Sequence, residues 1–86
     1  MNVQEVKDIL LAVPDFADVY VELEGTHYKI IVVSDSFESM TKLKQQQAVY
    51  SPLMASISDG TLHAVTIKTF TSTQWQREKM FNMPGK

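Results

Sequence analysis

The sequence contains no cysteine, and that absence removes disulfides, thiolate nucleophiles, CxxC redox pairs and zinc sites with cysteine ligands. It weakly favours a reducing compartment. Glycine is almost as scarce, with Gly25, Gly60 and Gly85 the only three, too few and too dispersed for a GxGxxG turn or a Walker loop. The longest apolar run, Ile30 to Val33, falls far short of the ~20 residues a bilayer span needs. Met1 to Val6 also lacks the basic start and apolar centre of a signal peptide, so the chain is expected to be soluble and cytosolic. Its 86 residues suit one domain, with an expected radius of gyration of roughly 12 Å.

What is present is globular in composition: 44% of residues are hydrophobic and 21% charged, for a formal charge of −2. The total conceals a division. Residues 1–38 carry a formal −6, with only Lys7 and Lys29 against eight acids, whereas residues 39–86 carry +4. Solvated faces account for this; so would a docking surface, or a weak nucleic-acid patch built on Lys42, Lys44, Arg77 and Lys79.

Asn2 and Glu5 form a capping-box pair, and Val3, Val6, Leu10 and Val13 recur at helical spacing until Pro14 ends the helix. From Asp18 to Glu24 the period changes to two, giving a strand with one wet face. Gly25-Thr26 supplies a tight turn, and Tyr28 to Ser34 is apolar enough to be the more central strand of a hairpin. Phe37 and Met40 begin a helical pattern that continues through Leu43, Gln47 and Tyr50. Pro52 then suits the first turn of a new helix capped by Ser51, which ends at Asp59-Gly60. Gln45-Gln46-Gln47 reads as solvated helix surface. Leu62 to Phe70 predicts a third strand, and Thr71 with Gln74 caps a last helix through Trp75 to about Lys79. Residues 1–80 form the expected single domain and 81–86 a flexible tail.

The connection of residues 35–61 is long enough for a crossover, which would make the third strand parallel to the second and lay the helices on one sheet face. Parallel neighbours would bring His27 and His63 to the same sheet end. Each alone reads as an ordinary surface or partly buried histidine. Together they are too few to hold a metal unaided, since structural zinc wants four ligands and catalytic zinc three plus water. There is no HExxH, no EF-hand loop and no GxSxG elbow, so an enzyme is not expected.

Tyr28-Lys29-Ile30-Ile31-Val32-Val33-Ser34, Phe37-Glu38, Val49-Tyr50 with Leu53, Leu62-His63-Ala64-Val65 and Thr71 to Trp75 together resemble the BolA family over residues 3–79. Lys44 to Met54 is most similar to its YrbA/IbaG branch. The resemblance implies an α+β fold of order αββααβα, a three-stranded mixed sheet with helices on one face, similar to a class II KH fold. It also implies a monothiol glutaredoxin as partner and a 2Fe-2S cluster shared with that partner and its glutathione, with none held by the isolated chain. His63 matches the family's iron-ligating histidine. His27 is the only candidate for the second ligand, which the family places between the first two strands. Ser39 stands where many members have glycine, and Gln45-Gln46-Gln47 stands where BolA proper has an Arg-His-Arg stretch.

The resemblance thus implies an adaptor in iron-sulfur cluster trafficking or iron and stress regulation. The competing expectation is a KH-like nucleic-acid-binding regulator, opposed by the net charge and by the absence of a GxxG clamp. A homodimer and a weak DNA contact stay open alongside the glutaredoxin, and no membrane partner is expected.

Overall fold

The computed structural model describes residues 2–62 and 64–82, the last two by backbone alone. Helix α1 (Val3–Leu11) opens on the expected box: the Glu5 N–H donates to Asn2 Oδ1 at 2.8 Å, and the Asn2 N–H donates to Glu5 Oε1 at 3.1 Å. One carboxylate and one amide thus satisfy two backbone donors that the first turn leaves without partners. Val6 and Leu10, four residues apart, are fully buried.

Strands β1 (Asp18–Glu24) and β2 (His27–Val33) pair antiparallel, with Glu24 opposite His27. That register leaves Gly25 and Thr26 as a two-residue loop. Gly25 has φ +61°, while no described residue other than glycine has positive φ, which identifies a type II′ turn. A Cβ at Gly25 would meet nothing within 4 Å, so only the backbone conformation demands glycine there. Gly25→Ala is expected to destabilise the protein by about 1–3 kcal/mol, the cost of holding an L-residue at positive φ, measurable by equilibrium denaturation.

Strand β3 (Ala64–Phe70) runs parallel to β2, giving the sheet order β1-β2-β3 with β2 central, as expected. The crossover consists of a short 3-10 helix (Asp35–Ser39) and helix α2 (Lys42–Ser58); helix α3 (Ser72–Asn82) follows β3. The radius of gyration is 12.3 Å. The backbone of α3 continues through Asn82, and residues 83–86 of the expected tail lie outside the described residues.

Two expectations for the crossover require correction. The break between its helices falls at Met40, which is extended, and not at Pro52, which lies inside α2. Thr41 caps α2 by accepting the Lys44 N–H at 3.2 Å. Proline removes one helical donor, but Val49 and Leu53 on either side of it are both fully buried, so the packed face holds the helix through the defect. That packed face is also a different one. Leu43 of the expected pattern is 67% exposed and Gln47 is exposed, whereas Gln45, Val49 and Leu53, at spacings of four, face the core.

The expectation that the helices lie on one sheet face also requires correction, because they divide between the two faces. Tyr28, Ile30 and Val32 pack with Val6, Leu10, Val49 and Leu53 of α1 and α2 on one face. Ile31 and Val33 point the other way and pack with Tyr20, Phe70 and Trp75, the last from the first turn of α3. A central strand apolar at every position from 30 to 33 has to be covered on both sides, which one helical layer cannot do. Trp75 supplies the second cover, with ring centroids 5.1 Å from Tyr20 and 5.3 Å from Phe70. Reciprocal bonds between Thr71 and Gln74 start α3 as expected.

Candidate functional site

Alternation along β2 places His27 on the same sheet face as Ile31 and Val33, beyond the part that Trp75 covers. The histidine is exposed. Its antiparallel partner is Glu24, and its parallel partner is Ala64, the residue that follows His63. The expected parallel pairing thus brings the start of β3 beside His27. His63 itself lies outside the described residues.

The chain entering that position is firmly held. Leu62 is buried and its N–H donates to the Ser56 carbonyl at 3.0 Å. Before it, Gly60 adopts φ +82°, and both the hydroxyl and the backbone N–H of Thr61 donate to the Asp59 carboxylate. These two donors stabilise the ionised carboxylate and hold Asp59 below its ordinary pKa.

On the other side of the pair, His27 Nε2 lies 2.6 Å from Thr66 Oγ1. Thr66 escapes sequence reasoning because the contact joins residues 39 apart and depends on the register of two strands. His27 Nδ1 has no partner among the described residues. The donor set of the chain, two imidazoles at most and no thiolate, fits completion of a metal centre whose remaining ligands come from another molecule.

Two of the four candidate cations lie together elsewhere. Lys42 and Arg77 line a cleft of about 470 Å³ with Asp35, Glu38 and Gln45, formed by segments that follow the ends of β2 and β3, at the opposite end of the sheet from His27. Asp35 is already engaged, accepting the Ser72 N–H at 3.1 Å and so tying the 3-10 helix to the start of α3. Lys44 is exposed on α2, and Lys79 is half-buried on α3. The cleft mixes both signs of charge.

Of the glutamine run only Gln47 is exposed as expected; Gln45 and Gln46 turn inward, contrary to the expected solvated surface. Gln45 is 8% exposed; its Nε2 donates to the Phe37 carbonyl at 2.9 Å and the Met40 carbonyl at 3.1 Å, and its Oε1 accepts from Thr69 Oγ1 at 2.6 Å. Gln46 donates to the Ile67 carbonyl at 3.1 Å. The spacing of Gln45 with Val49 and Leu53 is the signal in the sequence that marks it as inward-facing.

No helix among the described residues is long and apolar enough to cross a membrane. A family model described as BolA-like protein matches residues 13–74. An uncharacterized protein of Haemophilus influenzae is 42% identical over 82 residues, spanning 95% of this chain and 96% of its own. The acid stress protein IbaG of Escherichia coli is 37% identical over 82 residues, spanning 95% and 98%. Among solved structures, BolA1 from Arabidopsis thaliana has a TM-score of 0.71 at 24% identity, covering 86% of this chain and 96% of that one. BolA1 from Mus musculus has a TM-score of 0.76 at 21% identity, covering 98% and 77%. These two likenesses are of fold.

Proposed function

Because this chain belongs to the BolA-like protein family, we propose that it is an adaptor that binds a monothiol glutaredoxin and completes the ligation of a bridging 2Fe-2S cluster with His63 and His27. It acts in cluster trafficking or in iron and stress regulation, and not as an enzyme. The observation that carries the reading is the position of His27: exposed, and in register with the residue that follows His63. The similarity to an acid stress protein supports the regulatory setting.

The chemistry agrees with that role. Without cysteine, the chain can offer a cluster only imidazole, so thiolates come from the glutaredoxin and its glutathione. Imidazole in place of thiolate on one iron raises the reduction potential, and its ligation is sensitive to protons near neutral pH. Such a centre suits transfer or sensing better than permanent electron transport.

Titrating the protein into a reconstituted monothiol glutaredoxin, with visible absorption and circular dichroism recorded, is expected to change the cluster spectrum and yield a heterodimer. An unchanged spectrum with no heterodimer removes the proposal. His63→Ala is expected to bind the glutaredoxin and lose cluster on dilution or chelation faster than wild type. A His63→Ala protein that retains cluster like wild type shows that this histidine is no ligand.

A further inference from the structure

We infer that Thr66 selects the ring nitrogen that His27 presents to a ligand, engaging Nε2 and leaving Nδ1 outward. The value of that selection rests on the cluster-ligating reading above; the geometry does not. Alternation along β3 places Ala64, Thr66 and Lys68 on the sheet face that carries His27. His27 is level with Ala64, so Thr66 stands one diagonal step further along the neighbouring strand. The Ala64 side chain ends at its methyl, leaving the imidazole a path to lean along the strand and reach Thr66 Oγ1 at 2.6 Å.

A neutral imidazole carries one N–H and one lone pair, on different nitrogens. When Nε2 holds the proton and donates it to Thr66 Oγ1, the lone pair lies on Nδ1, the nitrogen without a partner among the described residues. A metal-binding histidine commonly has its other nitrogen engaged in this way, which sets both tautomer and ring orientation. Thr66 therefore acts as a positioning residue for His27. It needs no metal contact of its own.

Thr66→Val keeps the β-branched shape suited to a strand and removes the hydroxyl, while Thr66→Ser restores it. Long-range 1H–15N spectra of the histidine rings, taken on the free protein at mildly alkaline pH, read the tautomer directly; His27→Ala identifies the His27 signals. In wild type Nε2 is expected to be the protonated nitrogen, with its proton visible because exchange with water is slowed. Thr66→Val is expected to lose that proton signal, and Thr66→Ser to regain it. In the glutaredoxin complex, Thr66→Val is expected to weaken cluster retention by about tenfold, the lower range for loss of an outer partner, with Thr66→Ser nearer wild type. Protonation at Nδ1 in wild type, or ring spectra unchanged by Thr66→Val, overturns the inference. If the wild-type complex holds no cluster, the proposed function fails, and the ring spectra still decide the role of Thr66.

Discussion

Replacing Trp75 with alanine is expected to lower the free energy of unfolding by about 3–5 kcal/mol. The indole is 3% exposed and packs between Tyr20 and Phe70 over Ile31 and Val33, so its removal opens the apolar face of the central strand as well as a cavity. Of the apolar side chains of α3 described, Met80 is 79% exposed and Trp75 alone is buried. Against a total stability of about 5–15 kcal/mol, the loss is a large fraction of what holds the domain together. Each kcal/mol moves the Tm of a domain this size by about 4–8 °C, so thermal unfolding followed by far-ultraviolet circular dichroism should fall by more than about 12 °C. A fall below about 4 °C contradicts the role given to Trp75.

Gln45→Ala is expected to cost about 2–4 kcal/mol, although polar surface substitutions usually stay within about 0.5 kcal/mol. The amide spans three elements: it donates to Phe37 and Met40 at the break before α2 and accepts from Thr69 on β3. Alanine leaves the buried Thr69 hydroxyl and two carbonyls short of a partner, and an unsatisfied buried group costs more than the net value of the bond it lost. Denaturant unfolding of Gln45→Ala, Thr69→Val and the double variant should give a coupling energy of about 1–2 kcal/mol. Gln47→Ala, two residues along on the exposed face, serves as the control and should leave stability unchanged within about 0.5 kcal/mol. Equal effects at positions 45 and 47 contradict the buried amide.

Part of the candidate site is legible in the sequence. A crossover of the length between residues 35 and 61 implies parallel strands, and parallel strands bring His27 level with the start of β3, as the His27–Ala64 register shows. The Thr66 contact was not legible, because it needs the register to the residue and the direction in which a ring leans. Nor was the separation of the cations. Lys42 and Arg77 share a cleft with Asp35 and Glu38, while charge counted along the chain assigned the acids and bases to different halves.

Glutamine's chemistry explains why burial in the crossover is not legible from residue type. A side chain that is polar in isolation is equally suited to water and to a buried set of three partners, and those partners are supplied by residues 8, 5 and 24 positions away. Pro52 poses the same problem, since the packing that holds α2 through it comes from β-strands and α1.

The sequence by itself determined the capping pairs Asn2-Glu5 and Thr71-Gln74, the turn at Gly25-Thr26, the element order and the absence of any thiolate ligand. Each of these depends on residue identity or on interactions within a few residues. Only the tertiary structure decided that α2 runs through Pro52, that Gln45 is buried, that α3 covers the second face through Trp75, and that Thr66 holds His27. Those outcomes depend on contacts between distant segments, whose free energies outweigh local preference only once the sheet has brought the segments together.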